Sequence, residues 1–434
     1  MSYTYGGAEA YLLNIPRFKS KNDPDTTRAF LEAVGDLSVS IPTIHVAGTN
    51  GKGSVCAYLR AGLSACGKKT GVFTSPHLVS MRERFNYCGE DISEGEFIEA
   101  FEEVLRLLDE FKKTEDHGEY HPSFFEFLFF MAMVWFSKKK PDVLILETGL
   151  GGRLDATNSI SDPRVTVITE IGYDHMEYLG NTKELIAREK AGIIKKSAYC
   201  VFYDDKEPAA NVIRDVAKER AKGFLAVGPE NIKDLETSPQ GIDFRVIYGY
   251  DNCADFFLDT RAVYQSDNAA LAYGALILLS KFDDCVIDLE TARAGFKSCL
   301  WPGRMEEVEK NLILDGAHNE DGIKAFIKSV AVDGAQKRNL LFSMVADKQV
   351  ETVVRLICES ALFENVYLCV LDSPRFAGLD RLKAAFAEHG GISVKCFESV
   401  SDGLKEMRQA SKDSLMYVAG SLYLVGEVKA FLKK

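Results

Sequence analysis

Short, unbroken apolar runs alternate with stretches of helical periodicity along the first half of the chain. Thr43–Ala47, Thr70–Phe73, 142–146 and 165–169 are compact β-rich runs, the pattern of strands buried on both faces of a parallel sheet. Between the first two, Val55, Leu59, Leu63 and Cys66 recur on one helical face, and Gly67 marks the stop. A strand, a glycine loop, a helix and a further strand in that order predict a right-handed parallel crossover. Residues 123–136 are the most apolar stretch, but they carry Glu126 inside. A bilayer span needs about 20 apolar residues, so this stretch predicts a buried helix. The cluster Lys138-Lys139-Lys140 then falls at a helix C-terminus, where cations meet the negative end of the dipole.

Further along, residues 209–221 read as a helix, 242–248 as a strand and 268–281 as a helix. Pro302 and Gly303 break the pattern within Leu300-Trp-Pro-Gly-Arg304. A second alternating series follows, with strand runs at 312–315, 339–343, 366–371 and 416–419. With 434 residues, the chain exceeds the roughly 250–300 residues at which one hydrophobic core stops growing. We therefore expect two domains, 1–297 and 298–434, the second a smaller α/β unit.

Composition narrows the class. Hydrophobic residues make up 46% and charged residues 27%, which suits a globular protein able to bury a large core. Lys plus Arg number 52 against 64 Asp plus Glu, a formal charge of −12. Such a field repels phosphate backbones and anionic lipid, so neither nucleic acid nor membrane is an expected partner, and any anion must be held by a local constellation. The 10 cysteines include no CxxC pair, leaving zinc ribbons and thioredoxin-type motifs without support. Isolated thiols and an amino terminus without a basic, then apolar, leader predict a reduced, cytoplasmic setting.

Chemistry concentrates at the ends of the predicted strands. Gly48-Thr-Asn-Gly-Lys-Gly-Ser54 lies between a strand and a helix start. Its glycines let backbone N–H groups turn toward phosphate oxygens, Lys52 supplies a cation, and Ser54 a hydroxyl. The spacing is GxxGKG[ST], one glycine short of the usual loop; a plain glycine turn is the competing interpretation. Glu147, Ser75 and His175 each follow a predicted strand, at the carboxyl edge where open α/β sheets bind ligands. Glu147 suits a magnesium site, which asks for few oxygen ligands. A lone histidine such as His175 is more often structural. The turn 148–158 holds three glycines, Arg153 and Asp155, and either lets a ligand approach backbone or is a solvated turn. Glu126 is either a satisfied structural carboxylate or a pocket residue. Lys190 reads by default as a solvated helix lysine. In the second series, Asp315-Gly-Ala-His-Asn319 repeats the strand-end placement, and Arg304 follows the break. Both are positioned to close over a nucleotide held by the first domain.

In their order along the chain, Ala47-Gly-Thr-Asn-Gly-Lys-Gly-Ser54, Thr74-Ser-Pro-His-Leu78 with Glu83-Arg84, 147–158, Asp174-His175, 189–193, Gln265 with Asn268, Pro302-Gly-Arg304, Asp315-Gly-Ala-His-Asn319 and Gly420-Ser-Leu-Tyr423 resemble folylpolyglutamate synthase/dihydrofolate synthase of the Mur ligase superfamily. The resemblance spans nearly the whole chain. It implies an α/β fold, a P-loop-containing parallel-sheet ATPase domain followed by a smaller Rossmann-like α/β domain, and an ATP-dependent amide ligase. In such an enzyme ATP phosphorylates a substrate carboxylate, and the amine of L-glutamate attacks the acyl phosphate.

By the same resemblance, Asn50, Gly51, Lys52, Gly53 and Ser54 would hold ATP phosphates, and Asn268, Arg304 and Asp315 the rest of the nucleotide. Ser75, Glu147 and His175 would surround Mg2+, with Lys190, as a carbamate, joining the metal set; a monovalent cation is a further expected ion. Lys52, Glu147, His175 and Lys190 are the expected catalytic set. Ser123, Phe124, Phe125, Glu126, Leu154, Asp155 and Ala156 would form the folate or pteroate pocket, and Arg84, His318 and Ser421 would face glutamate in the cleft. The expected partners are small molecules, namely ATP, L-glutamate and a reduced folate or dihydropteroate, acting on a monomer. The chain departs from the family pattern at Tyr264, where histidine is usual, at Gln349, where aspartate ends an Asp-Lys-Asp run, and at Glu320, where proline often stands.

Three rivals are weaker. A cell-wall amino-acid ligase of the same superfamily would carry a UDP-binding domain ahead of the loop, and only 47 residues precede Gly48, under the roughly 50 a domain needs. A noncatalytic nucleotide-binding regulator would have no need of Lys52, Glu147 and His175 together. A small-molecule kinase would need neither Lys190 nor the Asp315 motif.

Overall fold

The computed structural model describes residues 3–15, 22–114, 117–238, 240–249, 252–411 and 414–433. Three sheets organise them. The first has eight strands in the order Glu90–Asp91, Phe85–Tyr87, Thr70–Phe73, Val143–Glu147, Thr43–Ala47, Val165–Ile168, Tyr199–Tyr203 and Gly223–Val227. The last six are mutually parallel, and the first two form an antiparallel margin. Every residue of Thr43–Ala47 and Val143–Glu147 is buried, as unbroken apolar runs at a sheet centre require.

The apolar stretch forms the helix Phe124–Lys139, started by a reciprocal cap in which Ser123 Oγ accepts from Glu126 N–H and the Glu126 carboxylate accepts from Ser123 N–H. Its phenylalanines pack with helix Glu94–Phe111 on one face of the sheet. On the opposite face lie Lys52–Ala65 and the apolar helix Gln265–Leu279. The latter begins three residues before the expected start at Asn268, which therefore sits within its first turn.

Residues 242–248 do not continue the parallel series. Gly241–Ile247 is the middle strand of a separate antiparallel sheet with Ile232–Ser238 and Cys253–Leu258. The reason is in its alternation: Ile242, Phe244 and Val246 are buried while Asp243, Arg245 and Ile247 are exposed, the signature of a sheet with one wet face.

The third sheet begins at Glu306 and runs Glu306–Glu309, Leu312–Leu314, Leu415–Ala419, Arg338–Phe342, Asn365–Cys369, Ser393–Phe397, parallel except at its first strand. The four central strands are the four expected from sequence. The two edge strands were not expected, because their residues are exposed or half-buried and lack the unbroken apolar run that marks a buried strand. No helix among the described residues is long and apolar enough to cross a membrane.

Candidate active site

Strand Thr43–Ala47 ends at Gly48, whose φ of +147° and lack of a side chain let the loop pass Thr169; a Cβ there would stand 1.8 Å from Thr169 Oγ1. Gly51, at φ +88°, turns the chain into helix Lys52–Ala65, and a Cβ would meet Asn268 Oδ1 at 2.2 Å. The loop is then tied down. Thr169 Oγ1 donates to Asn50 O over 2.6 Å, and Asn50 Nδ2 donates to Glu170 Oε2 over 3.1 Å. Ser54 Oγ accepts from Gln265 Nε2 at 3.2 Å, while Gln265 Oε1 accepts from Asn268 Nδ2 at 3.0 Å. Backbone N–H groups at a helix start held in this way form a cradle for an anion.

Beside the loop opens a cleft of about 1060 Å³ between the large sheet and the third sheet. It is lined by every site residue named from sequence except Lys190. Glu147 ends its strand with 2% exposure and accepts from Ser75 N–H at 2.9 Å, with Lys52 Nζ 4.0 Å from its other oxygen. Burial pushes its carboxyl up, against the pull of Lys52 and the Ser75 amide. Among the described residues no three His, Cys, Asp or Glu side chains group as a metal-binding set. Magnesium needs less, since one or two carboxylates with water and substrate phosphate oxygens suffice. A buried, lysine-faced Glu147 beside Ser75 fits that demand.

His175 takes a left-handed backbone conformation, φ 51°, at the start of a short helix. Burial lowers its imidazole to about 4 although Asp174 opposes this, so the ring is neutral near pH 7 and keeps a lone pair. Asp174 itself faces the second domain. It pairs with Lys348 Nζ, and His318 Nε2 stands 3.6 Å from it. Burial alone would raise this carboxyl; His318, Lys348 and His175 reverse the effect and hold it well below the carboxylate range. His318 Nδ1 donates to Gly316 O over 2.8 Å, which aims Nε2 at Asp174.

From the second domain, Asp315 accepts from Tyr264 Oη at 2.6 Å, Met305 N–H at 3.0 Å and Ala317 N–H at 2.8 Å. Tyr264 therefore supplies a donor from the position where the family pattern has histidine. Arg304 donates to Gly303 O over 2.8 Å and lies against Gly316. Ser421 caps helix Leu422–Leu432 by accepting from Tyr423 N–H.

Glu126 turns out to be both structural and cleft-lining. Besides its helix cap, its oxygens accept from Asn22 Nδ2 at 2.7 Å and Thr27 Oγ1 at 2.9 Å. Phe125 packs on Gly149, Phe124 lies under the Arg84 guanidinium at 5.7 Å, and Arg84 Nε donates to His77 Nδ1. Asp155 is likewise buried and lines the cleft with Ala156, whereas Leu154 is exposed. The turn 148–158 is thus an ordered wall.

Lys190 corrects the default expectation of a solvated lysine. It is 5% exposed and donates to Gly48 O over 2.6 Å, beneath the glycine loop and outside the cleft lining. Its place in a helix that packs under the loop is a tertiary effect with no mark in local periodicity. Burial and then Lys52 pull it down to about 7. Asn319, Glu170, Lys348 and Trp301 were not expected at the site. Asn319 Nδ2 bonds Asn50 Oδ1, and Trp301 packs on Gly53. Asn319 and Lys348 fall in motifs visible in the sequence; Glu170 and Trp301 sit beside such motifs.

Comparison with known proteins finds relatives along the whole chain. Residues 112–276 match the Mur ligase middle domain and 303–422 the Mur ligase glutamate ligase domain. The dihydrofolate synthase/folylpolyglutamate synthase of Bacillus subtilis is 32% identical over 440 residues, covering 100% of both chains. Mycobacterium tuberculosis folylpolyglutamate synthase complexed with ADP superposes with a TM-score of 0.89 at 27% identity over 99% of this chain and 98% of that one. E. coli FolC in complex with DHPP and ADP does so with 0.83 at 27% over 100% and 98%. End-to-end likeness in sequence and fold makes this chain a member of the folylpolyglutamate synthase/dihydrofolate synthase family of Mur ligases.

Proposed function

We propose that the chain is an ATP-dependent ligase that joins L-glutamate to a folate, and also to dihydropteroate. The observation that carries this reading is one cleft in which a phosphate loop with Lys52 and Glu147 meets Asp315, His318 and Lys348 of the third sheet's unit, in a chain related end to end to a dihydrofolate synthase/folylpolyglutamate synthase. An oxygen of the acceptor carboxylate attacks the γ-phosphorus and the bond to ADP breaks. The amine of glutamate then attacks the acyl carbon, losing a proton as phosphate departs.

Asn50, Gly51, Gly53 and Ser54 bind the ATP phosphates through loop amides and hydroxyl, and Lys52 offsets charge on the transferring group. Asn268, Arg304 and Asp315 orient the nucleoside end. Glu147, Ser75 and the neutral His175 imidazole hold Mg2+, which when bound supplies positive charge to the phosphates. Arg84, His318 and Ser421 face the incoming glutamate. Ser123 to Glu126 and Leu154, Asp155 and Ala156 form the wall for the pterin side. Burial draws Lys190 toward the neutral amine, the form that can add carbon dioxide; we read it as a carbamate, checked by NMR with isotope-labelled bicarbonate, where a free amine in active enzyme refutes it. Division at 297/298 lets the second unit close over the acyl phosphate and exclude water. Monomeric state and a cytoplasmic location belong to the same reading.

The test is an ADP-release assay. Turnover should require a folate or pteroate acceptor, magnesium and L-glutamate together, and comparing dihydropteroate with tetrahydrofolate monoglutamate shows whether both are used. Release that depends on a UDP-linked acceptor overturns the reading.

A further inference from the structure

The strand that delivers the phosphate loop has a second connection to the cleft. His45, at its centre, is completely buried. Its Nε2 lies 2.8 Å from Thr157 Oγ1, and the same hydroxyl lies 2.6 Å from Asp155 Oδ1. Asp155 Oδ1 also takes Thr157 N–H at 3.0 Å, and Oδ2 takes the N–H groups of Gly149 and Leu150 at 2.9 and 2.8 Å. Four donors converge on this one side chain, so both of its oxygens act as acceptors. A threonine hydroxyl has one proton, and here that proton points to Asp155. Its oxygen must therefore accept from His45, which fixes the hydrogen on Nε2. Nδ1 is left as a buried acceptor with no hydrogen-bond partner among the described residues.

We propose that His45 is a positioning residue for the acceptor substrate, holding Thr157 and through it Asp155, so that the wall 149–156 of the cleft is set by the strand that also carries the phosphate loop. This rests on the reading that Leu154, Asp155 and Ala156 face the folate or pteroate. Gly48 lies three positions after His45 on the same chain segment. The two substrates to be joined are thereby aligned by one rigid element, which near-attack geometry demands. A merely space-filling histidine would need no donor.

Two replacements separate those roles. Gln carries an amide N–H that reaches where Nε2 does, whereas Met has similar bulk and no donor. In steady-state assays His45→Met should raise the KM for tetrahydrofolate or dihydropteroate about tenfold, with the KM for ATP and kcat within about twofold, and His45→Gln should recover most of the loss. Should His45→Met not fold, Thr157→Val against Thr157→Ser makes the same test from the other end. The double variant His45→Met/Thr157→Val should cost no more than either single change. Equal KM values for Met and Gln, or an ATP KM that moves as much as the folate KM, overturn the proposal. If Asp155→Asn raises the folate KM and His45→Met does not, the relay is wrong while the pocket reading stands. If Asp155→Asn leaves it unchanged, the pocket reading fails and the proposal with it.

Discussion

Asn319 Nδ2 donates to Asn50 Oδ1 over 3.0 Å, joining the third sheet's unit to the glycine loop 48–54. The same side chain caps helix Glu320–Ala331, its Oδ1 accepting from Gly322 N–H at 2.8 Å. One amide thus starts a helix whose first turn lines the cleft and grips the glycine loop 48–54.

These two duties can be parted by substitution. Serine caps a helix as well as asparagine but does not reach Asn50, whereas alanine does neither. Asn319→Ser should keep the unfolding midpoint of the native chain and raise the KM for ATP about fivefold, the scale of one hydrogen bond. Asn319→Ala should show that same KM change and lose about 1 kcal/mol of stability. Calorimetry beside ATP titration distinguishes them, and a native ATP KM in the serine variant would show that the bridge is idle.

Lys52 faces the cleft, donating to Thr49 O over 3.2 Å and standing 4.0 Å from Glu147. Lys52→Ala removes the loop's cation but little packing. Turnover should fall at least a hundredfold, in the range of losing one preorganised electrostatic contact, while far-ultraviolet circular dichroism stays native. Normal turnover would remove Lys52 from the phosphate site.

How far the sequence reveals all this depends on where the information lies. The central strands and the phosphate loop are legible because burial on both faces leaves an unbroken apolar run, and a glycine loop leaves its own spacing. The edge strands Glu306–Glu309 and Ser393–Phe397 carry no such run. Glu147 is recognisable because it closes an apolar strand, and His175 because it lies in the polar turn beyond one. Local pattern marks neither Lys190, which only the family resemblance singled out, nor Trp301, since what matters about each is a distant partner: Gly48 lies 142 residues from Lys190. Glu126 could not be divided between structure and pocket because its partners Asn22 and Thr27 arrive from the amino-terminal segment.

Trp301 offers a natural reporter of the loop. A Cβ on Gly53 would lie 2.7 Å from its Nε1, so Gly53→Ala must push the indole away. The chain has 2 tryptophans, and Trp135→Phe leaves Trp301 as the single emitter. In that background Gly53→Ala should shift emission to longer wavelength as the indole gains water, and the ATP KM should rise. An unchanged spectrum would mean that the indole tolerates the methyl and does not seal the loop.

His45 gives a pH signature independent of catalysis. Burial, with Lys195 in second place, holds its imidazole at about 3, against 6.5 for a free histidine. Between those values the unfolded chain takes a proton that the native site refuses, so ν for the unfolded state exceeds that for the native state and stability rises with pH. The contribution is fully present above pH 6.5 and is lost as pH falls toward 3, at up to about 1.4 kcal/mol per pH unit. His175 and Asp174, also shifted downward, give slopes of the same sign, and Glu147, shifted upward, opposes them. The informative quantity is therefore a difference. Urea unfolding of the native chain and of His45→Gln, from about pH 7 down to about pH 5, should give curves that converge as the medium becomes acidic, because glutamine has no proton to refuse. Parallel curves would mean that His45 binds its proton equally in both states and is not the neutral, Nε2-protonated donor to Thr157.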